Sequence, residues 1–355
     1  MPDFPVVIQV TPFLRQRMAG LTGIARDVIV ADLAGARTII IVSDMPVDPD
    51  WVTSFRVRQR PLPDVIVTPV APSTGLFLPG DALPTTDGVA ALRDHGITEP
   101  QFTGYDSQAV TMAILHASLK PTEGWVGRHI NRPISFRISA LLMRMGVGPD
   151  PVTWFTLALA VIMALVLAHG GAGWLAAGGL LYQAVSVIDC IDGDIARATY
   201  RFSRRGALLD TACDMVANFG FYLGLTTGVV RTYGSHHMTV AIALVATIVS
   251  GVAAMSLLLR LGPRRGSFDV LRAALTIRLQ DRPRLQAATL AFEKFFKRDF
   301  YVLLACVLCL SGLAWAVPTV MLGGAALWLA AMVWCAPLIV ADKRGDLLPP
   351  HLRII

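Results

Sequence analysis

Apolar and polar positions are arranged differently in the two halves of this chain. Up to about residue 118, the apolar residues come in short runs separated by turn-forming residues. VVIQV near position 6 and TIIIVSD at 38–44 predict buried strands, and VIVTPVAP at 65–72 predicts a third. Between the first two, LTGIARDVIVADLAGA predicts an amphipathic helix that closes on a Gly-Ala turn. A strand, helix, strand order with short connections implies a parallel sheet. Residues 73–104, rich in Pro, Gly and Asp, predict loops around a short helix at DGVAALRDHG.

Beyond about residue 150 the runs lengthen to roughly 18 to 22 residues, long enough to cross a bilayer. Six spans are expected, near 153–167, 174–191, 206–230, 238–259, 300–315 and 320–340. Just before them, NRPISFRISALLMRMG mixes Arg with Ile, Leu and Met at helical spacing, as a helix lying in the membrane interface does. The expected fold class is a multi-pass α-helical membrane protein with six transmembrane helices and an N-terminal soluble α/β domain. The corresponding boundaries are 1–118 for the α/β domain, 119–150 for the interfacial bridge, 151–345 for the six-helix domain and 346–355 for a tail.

Composition agrees with this division. The chain is 54% hydrophobic and only 16% charged, against about 25% charged for a soluble domain. Its net charge of +6 is carried largely beside apolar runs, which argues against a nucleic-acid surface. Arg197, Arg201, Arg204 and Arg205 lie between spans two and three. Arg260, Arg264, Arg265, Lys294, Lys297 and Arg298 lie between spans four and five, and Lys343 and Arg344 follow span six. The remaining connections carry few positives, Arg231 being the main exception, so the positive-inside rule puts both termini in the cytoplasm. The first residues lack the basic-then-apolar order of a secretory signal, which fits an N-terminus kept inside and a cell inner membrane location. The five cysteines, Cys190, Cys213, Cys306, Cys309 and Cys335, fall in or beside apolar runs and read as packing residues. Cys306 and Cys309 form a CxxC with no second Cys or His pair nearby, so no zinc site is expected.

The chemistry is concentrated in one stretch, Asp189-Cys-Ile-Asp192-Gly193-Asp194-Ile-Ala196-Arg197, followed by Gly206-Ala-Leu-Leu-Asp210-Thr-Ala-Cys-Asp214. Asp189 and Asp192 share a face near the end of span two, while Gly206, Asp210 and Asp214 stack on one face of span three. An ionised Asp in a bilayer costs about 2.5 to 3.5 kcal/mol, so such a group needs compensation. Divalent cations supply it, and hard oxygen ligands suit Mg²⁺ or Mn²⁺. Two ions about 3.5 to 4 Å apart can clamp both oxygens of a phosphoryl transfer. Gly193 and Gly206 allow close approach of backbone or ligand, and Arg197 offers a fork of donors to a phosphate.

The stretch resembles the CDP-alcohol phosphotransferase motif D-x2-D-G-x2-A-R-x8-G-x3-D-x3-D, with each of its eight fixed positions present between Asp189 and Asp214. The resemblance extends over about residues 120–345. It implies an enzyme that transfers a phosphatidyl or phospho-alcohol group from a CDP-alcohol, such as CDP-diacylglycerol, to an acceptor hydroxyl with release of CMP, in phospholipid biosynthesis. It also implies two metal ions held by Asp189, Asp192, Asp210 and Asp214, with Asp214 as general base. Gly193, Ala196, Arg197 and Gly206 are motif positions on the nucleotide side, and Ser203 lies where some members place a hydroxyl beside the phosphates. A homodimer is the implied assembly. Asp194 is a position the motif leaves free and reads as a loop cap. Gly148-Pro-Asp150-Pro-Val-Thr153 resembles the family's Thr-Pro-Asn-x-x-Thr entry to the first span, with Asp150 in place of Asn and one amide donor fewer.

Two basic groups stay open between readings. Lys297 and Arg298, in KFFKRDF, either bind a phosphate on the acceptor or anchor the chain at the membrane; Arg128, Asn131 and Arg132 could likewise face the acceptor. The bridge KPTEGWVGRHINRPIS resembles the join to an N-terminal cytidylyltransferase domain in inositol-phosphate-type members. Such a domain opens on a Gly-rich basic loop after its first strand; here TPFLRQRMAG follows VVIQV, which suggests a degenerate relative with a scaffold role. Two other functional classes compete with transfer: a divalent-cation transporter built on intramembrane carboxylates, and a non-catalytic CDP-alcohol-binding protein. The first calls for acids on several helices near the bilayer midplane, whereas here they sit on two adjacent helices beside a loop with four Arg.

Overall fold

The structure is a computed structural model that describes residues 5–78, 80–87, 89, 102–103, 106–119, 123–261, 269–293 and 297–341. The chain is mostly helical in its C-terminal part and α/β in its N-terminal part. It forms two compact units, one of Met1–Glu123, Ile130–Thr156 and Val187–Cys213, the other of Gly124–His129, Leu157–Ser186 and Asp214–Ile355.

The first unit is built on a parallel sheet. Its strands are β1 (Val6–Gln9), β4 (Thr38–Val42), β5 (Asp64–Thr68) and β6 (Leu76–Leu78), in the order β5-β4-β1-β6. Val6, Val7 and Ile8 are fully buried, as an unalternating apolar strand in the middle of a parallel sheet should be. The loop after β1 folds into a short hairpin, β2 (Arg17–Met18) with β3 (Leu21–Thr22). Ala19 and Gly20 both take positive φ at its tip, the conformation a two-residue hairpin turn needs. Helix α1 (Gly23–Leu33) starts where the Thr22 hydroxyl oxygen accepts from the Ala25 amide at 3.1 Å. It ends at Gly35, whose φ of +98° lets Ala36 N–H reach back to the Ala31 carbonyl at 3.0 Å. This helix is not amphipathic as expected: every residue from Gly23 to Ala31 is buried. The face that reads as polar, with Arg26, is covered by the hairpin and by residues 198–200.

Helices α2 (Trp51–Arg58) and α3 (Ser107–Ala117), and the short strands β7 (Ala82–Leu83) and β8 (Phe102–Thr103), complete the α/β part. The helix expected at DGVAALRDHG falls largely outside the described residues, as do Arg264, Arg265, Lys294, Lys343 and Arg344. Helix α4 (Arg132–Arg144) follows a π-helical turn at Gly127–Asn131 and buries Ser135, Phe136, Ser139, Ala140 and Met143. That one-sided burial is the amphipathic pattern expected of it.

The long helices follow: α5 (Pro149–His169), α6 (Ala172–Ala198), α7 (Arg204–Tyr233), α8 (Met238–Leu261), α9 (Asp269–Arg278), α10 (Pro283–Glu293), α11 (Arg298–Leu310) and α12 (Val317–Ala341). In the second unit, Met163 and Leu167 of α5, Leu175 and Tyr182 of α6, and Phe221 and Leu225 of α7 share a core with Val302 and Cys309 of α11. Gly220, Gly224 and Gly228 put a bare stripe of α7 against α5. A Cβ on Gly224 would lie 2.5 Å from the Ala164 carbonyl oxygen, and one on Gly228 would strike the Leu167 carbonyl. Small residues at four-residue spacing are a usual route to close packing between membrane helices.

Among the described residues, four candidate spans are long and apolar enough to cross a membrane: Pro149–His169, Ala172–Ala198, Ser235–Leu258 and Ala314–Ala341. The other two expected spans differ for separate reasons. Helix α7 has 30 residues but carries Arg205, Asp210, Asp214 and Arg231. Helix α11 has 13 residues, about 20 Å of helix against a hydrocarbon core of about 30 Å.

Candidate active site

Within the first unit, α6 runs unbroken through Asp189, Asp192, Asp194 and Arg197 and stops at Ala198. Tyr200 turns the chain with φ +54°. Helix α7 then begins at Arg204, with the Ser203 hydroxyl oxygen accepting from the Gly206 amide at 3.0 Å. Ser203 is therefore the helix cap, and its own O–H remains to be donated. Asp210 lies a little over one turn further on.

Carboxylate oxygens of Asp189 and Asp210 lie within 4.8 Å of one another, and both residues are half-buried. Asp214 follows Asp210 by four residues of the same helix, which puts its carboxylate on the same face. Asp192 is held differently. One of its oxygens accepts from the Thr153 hydroxyl at 2.5 Å and the other from the Gly193 amide at 2.5 Å. Thr153, noted in the sequence only as part of the entry to the first long helix, is thus the side chain that fixes Asp192.

Asp194 is not a loop cap. It is fully buried inside α6 and accepts from Arg132 at 2.5 Å, Arg197 at 2.9 Å and the Ser135 hydroxyl at 2.9 Å. Arg132 in turn donates to Glu123 at 2.8 Å. Burial alone would lower the Arg132 pKa, but Cys190, Asp194 and Glu123 raise it overall, so the guanidinium stays charged. This guanidinium is bonded within the protein to Asp194 and Glu123. A Cβ on Gly193 would lie 3.0 Å from the Arg197 guanidinium, so the missing side chain makes room for Arg197. Arg197 Nε is buried without a hydrogen-bond partner among the described residues, which leaves a donor for an anion.

In the second unit, Arg298 at the start of α11 forms an ion pair with Asp214. Arg298 thus sits on a motif carboxylate, an arrangement that neither sequence reading of it anticipated. Asn218 donates to the Asp214 carbonyl at 2.8 Å and accepts from the Tyr182 hydroxyl at 2.9 Å and the Tyr301 hydroxyl at 3.4 Å. Asn218 could have been found from the sequence, because it continues the four-residue spacing of Gly206, Asp210 and Asp214. The cysteines are all free thiols, four of them buried, which agrees with the packing role.

Residues 147–336 match the family described as CDP-alcohol phosphatidyltransferase, more than half of the 355-residue chain. The chain belongs to this family. Membership in a membrane-enzyme family and four apolar helices of sufficient length make it an integral membrane protein. A bifunctional IPC transferase and DIPP synthase of Thermococcus kodakarensis is 38% identical over 109 residues, 30% of this chain and 24% of the relative. A protein of the same name from Rubrobacter xylanophilus is 42% identical over 106 residues, again 24% of its length. The phosphatidylinositol phosphate synthase of Mycobacteroides abscessus is 35% identical over 129 residues, 36% of this chain and 57% of that protein. The chain therefore spans about a quarter to somewhat over half of the length of these relatives.

The donor set suits the metal that the family implies. Asp189 and Asp210 present convergent hard oxygen ligands, the donor type that Mg²⁺ and Mn²⁺ prefer.

Proposed function

We propose that this protein transfers a phosphatidyl or phospho-alcohol group from a CDP-alcohol to an acceptor hydroxyl and releases CMP. The observation that carries the reading is the convergence of Asp189 and Asp210, with Asp214 on the next turn, inside a complete eight-position motif. In this reading two Mg²⁺ (or Mn²⁺) ions are bound by Asp189, Asp192, Asp210 and Asp214. When bound, they would supply charge neutralisation for the diphosphate and the departing CMP.

The remaining roles belong to the chain itself. Gly193, Ala196, Arg197, Ser203 and Gly206 line the CDP side. The free Nε of Arg197 and the O–H of Ser203 are the donors available to a phosphate. Asp214 is the general base: the acceptor hydroxyl gives its proton to the carboxylate, its oxygen bonds to the distal phosphorus, and the bond from that phosphorus to CMP breaks. Arg298 pairs with Asp214 in the resting site and must share or release it when the acceptor arrives. The phosphatidylinositol phosphate synthase relatives favour a phosphorylated inositol as acceptor.

The wider reading follows from the same family. All six long helices, α5 to α8, α11 and α12, would cross or enter an inner membrane with both termini cytoplasmic, and the protein would act as a homodimer. The shortness of α11 fits a span completed by the turn at Ala314–Ala316. Residues 1–118 would be a degenerate nucleotidyltransferase-like scaffold, followed by a bridge to residue 150, the transferase domain to 345 and a tail. Phe13 and Leu14 support degeneracy, because both are buried core residues where a phosphate-cradling loop would need open backbone amides. The test is CMP release by purified protein given CDP-diacylglycerol or other CDP-alcohols, a panel of acceptors led by inositol phosphate, and Mg²⁺ with and without chelator. Chelator-sensitive CMP release with one donor–acceptor pair is expected. Binding of CDP-alcohol without turnover, or metal flux into liposomes without nucleotide, would replace the reading.

A further inference from the structure

The turn between the two halves of the motif is held by the α/β part of the chain. Helix α6 ends at Ala198, where helix carbonyls run out of intrahelical donors. Two side chains from the N-terminal region take the exposed carbonyls. Arg26 of α1 donates to the Ala198 carbonyl at 2.8 Å while also donating to those of Met18 and Ala19, each at 2.8 Å. Ser54 of α2 donates its hydroxyl to the Thr199 carbonyl at 2.8 Å.

Arg26 and Ser54 are 4% and 0% exposed, so water does not compete for these bonds. A guanidinium at the C-terminal end of α6 also complements the helix dipole. Around them, Arg26 lies over the Tyr200 ring at 5.9 Å and Arg58 over the Phe202 ring at 5.0 Å. Ile191, Ile195 and Ala198 are buried in the same core as β1, β4 and α1. The back of the motif helix is thus part of the α/β core, and its front carries Asp189 and Arg197.

We infer that Arg26 and Ser54 are positioning residues for the transferase: they clamp the turn at 198–203 and so set where Arg197 and Ser203 stand for the CDP group. This gives the α/β part a task that needs no nucleotidyltransferase activity of its own. The inference rests on the transfer reading above.

The test uses the full-length protein in detergent, with Ser54→Ala, Arg26→Gln and Arg26→Lys. Ile41→Val serves as a control that disturbs the same core away from the turn. Hydrogen exchange at the amides of Thr199, Tyr200 and Arg201 reports the clamp directly, and kinetics with the CDP donor report its consequence. Ser54→Ala and Arg26→Gln are expected to speed that exchange and raise KM for the donor, each roughly tenfold, for loss of a buried hydrogen bond. Their kcat should change little, Arg26→Lys should recover part of the loss, and Ile41→Val should leave KM unchanged. Unchanged exchange, or faster exchange with unchanged KM in an active protein, would overturn the inference. A wild-type protein that shows protected amides at 199–201 and slow exchange lost in Ser54→Ala, yet yields no CMP with any donor, would instead sink the transfer reading and the positioning role with it.

Discussion

Two acidic groups on one helix show opposite designs. Asp194 is sealed inside the protein and satisfied by Arg132, Arg197 and Ser135. Asp189, five residues earlier, is half-buried and turned toward another acid, Asp210. The first arrangement settles a charge within the fold, and the second sets two like charges close together, as a cation site does. The motif covers the second group and leaves Asp194 free. Asp194, held by two guanidinium groups and a hydroxyl, is a structural acid.

Substitutions can test this division. Asp194→Ala should be the most damaging to the fold, because it removes the buried carboxylate that Arg132 and Arg197 share. A loss of about 3 to 5 kcal/mol is expected, read as a lower thermal midpoint in detergent. Asp210→Asn should leave the midpoint unchanged or slightly higher without metal, while CMP release falls about a hundredfold or more, a barrier increase of about 3 kcal/mol. If both variants lose stability and activity together, the contrast between the groups is wrong. Gly228→Ala should cost about 1 to 3 kcal/mol by pressing a methyl group against the Leu167 carbonyl, with the acidic site chemically intact.

The smallest effect is expected at Asp27, a third kind of buried acid. Both its oxygens lack a hydrogen-bond partner among the described residues. Burial raises its pKa well above the usual carboxylate range, and Arg26 opposes this only in part. The folded protein therefore keeps a proton there that the unfolded chain releases. The stability associated with that proton is fully present below the unfolded pKa and is lost as pH rises through the folded one. Asp27→Asn should be more stable than wild type near pH 7, and the gap should close on acidification toward pH 4. A gap that does not change with pH would mean that Asp27 is not the titrating group.

Much of this was legible in the sequence because it is local. The motif spacing set Asp210 and Asp214 on one face, and strands β1, β4 and β5 followed from short apolar runs. Partners distant in sequence were not legible. Arg132 is 62 residues from Asp194, and Arg298 is 84 from Asp214. Helix α1 misled for the same reason: its polar-looking face is buried by a turn 172 residues away. The helix break within the expected fifth span was not legible because apolar residues resume after Ser311 and Gly312, where the helix stops and the chain turns with φ +75°.

The central claim is that the motif acids Asp189, Asp210 and Asp214 serve CDP-alcohol transfer, with Asp214 as the general base. Its most direct test is the initial rate of CMP release by wild type and Asp214→Asn, both purified in the same micelles with Mg²⁺ and the active donor and acceptor. A fall of about 10²- to 10⁴-fold, with the thermal midpoint unchanged, is the predicted result for loss of the general base. Full turnover by Asp214→Asn would contradict it.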